Sequence, residues 1–255
     1  MNEADFPILE YDPSPDALIE PSRLLSPIDI PLHCVLCFFQ DVIAGLGERG
    51  LLQPVYELRS EMGPNPVYML AIDGRRLALV HPGVGGPLAG GVLDELIALG
   101  CRRFIACGGA GVLNRDLVVG HVIVPTAAVR DEGTSYHYLP PAREVRPSAA
   151  AVTAIEATLT HRGVAYVSGK TWTTDGFYRE TAARIARRRA EGCLTVEMEA
   201  AAFFAVAQFR GVTFGQLLYG GDDVSGDAWD SRSWQSGVSI RERVLWLAAE
   251  ACLRL

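Results

Sequence analysis

Apolar residues along the chain fall into short runs separated by polar or glycine-rich breaks. LHCVLCFF (32–39), RLALVH (76–81), RFIAC (103–107), HVIVPTAAV (121–129), VAYVS (164–168), CLTVEM (193–198) and VTFGQLLY (212–219) are β-branched or aromatic and too short for helices, so they predict strands. Between them the period changes to that of a helix. VLDELIAL carries apolar residues at 92, 93, 96 and 97 and is stopped by Gly100. Ser148 is placed to cap a helix running through AAAVTAIEATLTH to Gly163. EAAAFFAVAQFR (199–210) is helical, as is the chain from about Val238, and TWTTDGFYRET is read as a loop entering a basic helix. The first 30 residues are Pro-rich and predict an irregular surface arm. With no fixed repeat and no later linker, residues 31–255 read as one α/β domain. The expected architecture is three-layered, a largely parallel, mixed and twisted sheet covered by helices.

Five of these strands end in glycine-rich or polar segments: PGVGG, GGAG, TTDGFY, VEME and GGDD. In open α/β sheets ligands bind in the crevice beyond the carboxyl ends of the strands, so these ends predict one site for a small polar molecule. Within VEME, Glu197 and Glu199 flank Met198 at the mouth of an apolar run. If the segment is extended, period 2 puts both carboxyls on one side. If the helix has begun, they diverge by about 200°. A carboxylate there can accept two hydrogen bonds at once from vicinal hydroxyls. It can equally serve the backbone N–H groups of the first helical turn.

Composition narrows the classes. The 255 residues are 49% hydrophobic and 21% charged with a net charge of −7, an ordinary globular balance that disfavours nucleic acid. The densest basic cluster, RIARRRAEG, reads as a solvated helix face, although it and the arm are both candidates for a subunit interface. No apolar run approaches the ~18 residues of a membrane helix, and the acidic, Pro-rich start is unlike a signal peptide. The six cysteines include HCVLC, but no second pair lies at zinc spacing, so structural thiols, no metal and a cytoplasmic location are expected. PGVGGPLAGG lacks a P-loop lysine and the dinucleotide glycine spacing, so no nucleotide cofactor is expected.

VEMEAAAFFAVA, HPGVGGPLAGGVLDELIALGCRRFI, GAGVLNRDLVVGHVIVPTAAVRDEGTSYHY and TTDGFY together resemble the nucleoside phosphorylase superfamily, over roughly residues 19–250. That family contains purine nucleoside and uridine phosphorylases and related nucleosidases, with a phosphorylase/hydrolase-like fold. The resemblance implies cleavage of an N-glycosidic bond through an oxocarbenium-like transition state, with phosphate or water as nucleophile. It implies that Glu199 holds the ribose hydroxyls, Met198 packs on the sugar and Glu197 supports the same wall. It places Asp223 at the aspartate that protonates a purine base, with Asp222 taking that role if the alignment slips by one, and Phe177 at the stacking aromatic with Tyr178 beside it. Uridine-specific members carry a glutamine and an arginine where this chain has Thr181 and Ala183, which points to a purine nucleoside.

For inorganic phosphate, expected as co-substrate, the matches conflict. The family loop Gly-Asp-Pro-x-Arg is IEPSR here, keeping Pro21 and Arg23 but not the first two residues. The second phosphate arginine is Ala106 and the following hydroxyl residue is Gly109. Gly83, Gly85, Gly86 and Gly108 allow backbone N–H groups to approach an anion, Arg59 lies near where members lend an arginine across a subunit interface, and His81 and Arg130 are further polar candidates. His81 also reads as a strand-end residue making one backbone hydrogen bond. Phosphorolysis of a purine nucleoside is the expectation. Hydrolysis is the alternative, and a binding protein without turnover is the third reading. Partners are then nucleoside and phosphate, without nucleic acid or membrane, in a homo-oligomer of dimers that combine into hexamers.

Overall fold

In the computed structural model residues 6–234 and 238–255 are described; residues 1–5 of the expected arm lie outside them. The strands are β1 (His33–Cys37), β2 (Leu52–Ser60), β3 (Gly63–Ile72), β4 (Arg75–Val80), β5 (Arg103–Val112), β6 (Val122–Asp131), β7 (Glu144–Val145), β8 (Tyr166–Thr174), β9 (Cys193–Glu197) and β10 (Thr213–Asp223). The helices are α1 (Pro21–Leu24), α2 (Gln40–Glu48), α3 (Gly86–Leu99), α4 (Ala149–His161), α5 (Ala182–Ala190), α6 (Ala200–Arg210) and α7 (Val238–Leu253).

One sheet runs β10-β6-β8-β9-β5-β1-β4-β3-β2, and β10 also pairs with β5. Five strands therefore close on one another: β5 with β10 parallel, β10 with β6 antiparallel, β6 with β8 and β8 with β9 parallel, and β9 with β5 antiparallel. The rest of the sheet extends from β5 through β1 and β4 to the β2–β3 hairpin, whose two strands pair antiparallel. Helices cover both faces. α2, α4 and α7 bury Leu46, Ile155 and Leu245 against one side, while α3 and α6 bury Leu93, Phe203 and Phe204 against the other. Strands buried on both faces must be apolar throughout, which is why β1 and β5 show no polar alternation.

The three-layer, mixed, largely parallel architecture is thus the one the apolar pattern predicts, with differences that have local causes. TWTT is not loop but the buried end of β8, and GGAG and GGDD continue β5 and β10 as extended chain. Ser148 stands at the N-cap of α4 without a capping bond, because its hydroxyl accepts the N–H of Phe214 on β10. The basic helix α5 is not simply solvated. Arg188 is buried, and its guanidinium and that of Arg184 converge on Asp131 and lie over the Trp172 ring at 5.4 and 5.5 Å. Cys34 and Cys37, three apart on β1, enter opposite core clusters, so HCVLC cannot chelate one ion. No described helix is long and apolar enough to cross a membrane.

The arm is tied to this body by one buried charge cluster. Arg210, at the end of α6, bonds Asp94 of α3 at 2.6 Å and Glu20 of the arm at 2.8 Å, and Tyr138 donates to Asp94 at 2.9 Å. Burial draws the Arg210 guanidinium toward deprotonation, but the bonds to Asp94 and Glu20 outweigh it, and its pKa lies above the ordinary value. Arg210→Ala leaves two carboxylates buried without their cation. It is expected to cost about 3 kcal/mol, read as a lower urea midpoint, and to free residues 6–25 for proteolysis.

Candidate active site

The β9–α6 junction carries the two glutamates. β9 ends at Glu197, and Glu199 is the N-cap of α6 with φ −135° and ψ −25°, so the segment is neither a continued strand nor yet a helix. Their carboxyls go to different partners. Glu197 accepts the N–H groups of Glu199 and Ala200 at 2.8 and 2.7 Å and the Thr173 hydroxyl at 2.7 Å. It serves the helix start, with no acceptor capacity directed elsewhere among those contacts. Glu199 accepts the Gly85 N–H at 2.6 Å, which pins the loop before α3 against the start of α6. Gly85 holds φ +88° and Gly83 φ +78°, and a Cβ on Gly83 would meet Leu88 at 2.3 Å, so this loop needs glycine at both places.

Both carboxyls are buried, at 7% and 6% exposure. Burial pushes Glu197 up from the ordinary carboxylate range. Burial, and then the neighbouring Glu197, pushes Glu199 up to about 8. Glu199 therefore lacks the counter-charge that a structural carboxylate usually has.

A cavity of about 450 Å³ opens over this junction, within the range of small-molecule sites. Glu197, Met198 and Glu199 form one wall. Gly111 and Asp222 line it from the carboxyl ends of β5 and β10, and Phe177 and Glu180 from the segment after β8. Phe38, Gly108, Gly109, Gln216, Trp234 and Arg241 complete the lining. Gly108 leaves room for Phe38, which a Cβ would meet at 3.0 Å. Asp222 accepts the Trp229 indole N–H at 2.7 Å. The Glu180 carboxyl accepts no hydrogen bond among the described residues, and burial, then the charge of Asp222, raises it to about 7.

The sequence-derived candidates divide on this geometry. Glu197, Met198, Glu199, Phe177, Gly108, Gly109 and Asp222 line the cavity. Asp223 does not: it bonds Arg232 at 2.6 Å and the Ser225 N–H at 2.7 Å. Burial opposes its ionisation, but these bonds outweigh burial and hold its pKa below the usual carboxylate range. The strand register shifts between Gly220 and Asp223, and this irregularity decides which aspartate faces inward. Tyr178 is 88% exposed and only leans on Phe177. Arg23 lies outside the cavity on the arm, paired with Asp16 at 3.3 Å, and Arg59 lies outside it on the β2–β3 hairpin, paired with Glu57 at 2.7 Å. His81 sits at the end of β4, where its Nδ1 accepts the Gly83 N–H, and Arg130 is spent on Ser135 and the carbonyls of Leu139 and Pro140. Glu180, Gln216 and Arg241 were not singled out from the sequence. Gln216 left a signal, a lone amide inside the apolar run VTFGQLLY.

Residues 33–243 match the family model described as the phosphorylase superfamily. The chain belongs to that superfamily. A guanosine phosphorylase of Halorubrum lacusprofundi is 31% identical over 145 residues, 57% of this chain and 60% of that protein. A uridine phosphorylase of Salmonella typhimurium is 29% identical over 160 residues, 57% of this chain and 63% of that protein. The aligned stretches thus span somewhat under two thirds of those relatives. The crystal structure of an AMP nucleosidase from Bacteroides thetaiotaomicron superposes with a TM-score of 0.72 at 23% identity, covering 91% of each chain, a likeness of fold.

The part Glu197 plays at the start of α6 is testable by stability alone. Glu197→Gln keeps an amide oxygen on the N–H groups of residues 199 and 200, but loses their charge-assisted bonds and turns its NH2 toward the Thr173 hydroxyl that donates to Glu197. The expected loss is about 1–3 kcal/mol in urea unfolding, with the Glu199 titration moving down because the neighbouring charge is gone.

Proposed function

We propose that the chain cleaves the N-glycosidic bond of a purine nucleoside with inorganic phosphate, releasing free base and ribose 1-phosphate. The observation that carries this reading is the opposition of two chemistries across one cavity. The Glu199 carboxyl and Met198 stand where a sugar diol would be held, and the Asp222–Glu180 pair stands beside Phe177 where a base would lie. As the C1′–N bond breaks, its electron pair leaves on the base and positive charge develops on the sugar. A phosphate oxygen forms the new C1′–O bond. The base then needs a proton, and two adjacent carboxyls, one of them raised to about 7, hold one near neutral pH.

Three points support a purine. Glu180 offers an acceptor to ring N–H and exocyclic amino groups. Thr181 and Ala183 stand where uridine-specific relatives carry glutamine and arginine. The guanosine phosphorylase is among the relatives that match. The same reading includes a homo-oligomer, because Arg23 and Arg59 are too far out on arm and hairpin to serve their own cavity and would reach a phosphate only across an interface.

Hydrolysis is the second reading, and one feature favours it. Among the described cavity-lining residues Arg241 is the sole cation, and it is bonded to Asp41 at 2.8 Å. An anionic co-substrate loses a charge-assisted, often bidentate contact without an arginine.

The test is base release from guanosine, inosine, adenosine and uridine, with and without inorganic phosphate, identifying the sugar product. Phosphate-dependent release giving ribose 1-phosphate is expected. Free ribose without phosphate would replace the first reading with the second. In either case Asp222→Asn is expected to lower kcat by about 100-fold or more and Asp223→Asn to act mainly on stability. The reverse order would sink the assignment of Asp222 to the base.

A further inference from the structure

Gln216 is a buried amide in a place where the fold does not use it. It lies on β10, 1% exposed, and lines the cavity, yet its Oε1 is buried without a hydrogen-bond partner among the described residues. A buried carbonyl oxygen without a donor is a standing cost to folding, and native structures keep few of them. Its neighbours explain why nothing in the protein answers it. Its register partner on β5 is Ala106, a methyl group, and beyond that come Gly108 and Gly109, which offer no side chain.

Position along β10 says what the amide is for. Asp222 is at the carboxyl end of the strand and Gln216 is six residues earlier on it, up to about 20 Å of extended chain, so the two line separate stretches of the cavity wall. With a base toward Asp222 and its sugar on Glu199 and Met198, Gln216 is on the stretch of the β10 wall away from the base. Displacement at the anomeric carbon needs its nucleophile on that side. We propose that the Gln216 amide binds the incoming oxygen nucleophile in the cavity. The assignment rests on the nucleoside-cleavage reading.

An amide suits this wall for an electrostatic reason. Glu180, Glu197, Glu199 and Asp222 already crowd the cavity with acids, and the one lining arginine among the described residues, Arg241, gives one guanidinium nitrogen to Asp41 while its Nε is buried without a partner. A neutral group that both donates and accepts can hold either a protonated phosphate oxygen or a water molecule without adding charge. Gln216 here acts by contact with the nucleophile, and its removal leaves the sugar and base contacts in place.

The experiment compares wild type with Gln216→Leu, Gln216→Ala and Gln216→Glu in steady state and by thermal melting. If phosphate is the nucleophile, each variant raises the KM for phosphate at least tenfold and leaves the KM for nucleoside within about twofold, with Gln216→Glu the worst because it repels the anion. If water is the nucleophile, Gln216→Leu and Gln216→Ala lower kcat at least tenfold at unchanged nucleoside KM, while Gln216→Glu retains more activity than either. Gln216→Leu is also expected to raise Tm by a few degrees, since it removes an unanswered buried oxygen at similar volume. A nucleoside KM that rises while phosphate KM and kcat stay put would overturn the proposal, as would a lowered Tm with unaltered kinetics. Should wild type turn over no nucleoside, the cleavage reading falls by itself. The nucleophile site is then decided by calorimetric titration with inorganic phosphate: binding abolished by Gln216→Glu supports it, and no binding or equal binding overturns it.

Discussion

The bond from the Gly85 N–H to the Glu199 carboxyl, 2.6 Å long, is the contact on which the site depends. It joins two helix starts, α3 and α6, that come from parts of the chain over 100 residues apart. Around it the chain must satisfy two demands that conflict. The start of α6 needs an acceptor for its free N–H groups, and the cavity needs a carboxyl that is free to meet a ligand. Two glutamates in VEME divide the work, Glu197 turning back on the helix and Glu199 facing the cavity. The charge of Glu197 adds to burial in raising Glu199, whose carboxyl is pushed up to about 8.

The rest of the architecture serves that junction. Closure of β5, β10, β6, β8 and β9 brings the ends of three strands around one opening, so that Gly111, Glu197 and Asp222 share a cavity. The helices on both faces supply the apolar burial that holds the strands in register. The charge cluster of Arg210, Asp94 and Glu20 fixes the far end of α6, so that the helix whose start carries Glu199 is held at both ends. Energetically the site lies where the molecule is least relaxed: a buried acid without counter-charge, a half-buried Glu180 beside Asp222, and an unanswered amide on Gln216.

The fold was largely legible because it depends on local pattern. Apolar runs without alternation announced doubly covered strands, and the turns at Gly100 and Gly163 ended helices where they stand. The wall of the cavity formed by Glu197, Met198 and Glu199 was legible for the same reason, since the three are adjacent in sequence. What failed to read out was set by tertiary geometry. Period 2 cannot carry a side-chain direction through the irregularity at Gly220–Asp223, so the inward aspartate could not be chosen between 222 and 223. Ser148 looked like a cap because nothing in its own segment reveals the Phe214 N–H that takes its hydroxyl. Arg23 matched a motif by spacing, yet the arm that carries it pairs with its own Asp16. The basic run on α5 looked solvated because Asp131 and Trp172, which bind it, are over 10 residues away in sequence and on other strands.

The proposed role of Glu199, binding a ribose diol as a carboxylate, is measured directly by proton release. A carboxyl raised to about 8 is mostly protonated at pH 7, whereas two donating hydroxyls favour its ionised form. Binding must then expel a proton, and affinity must rise with pH until it levels off above 8. Calorimetry of guanosine binding at pH 7 in buffers of different ionisation enthalpy is expected to show release of close to one proton, lost in Glu199→Gln and absent for a 2′,3′-dideoxy analogue. Binding without proton release, or equal release with the dideoxy analogue, would contradict the account.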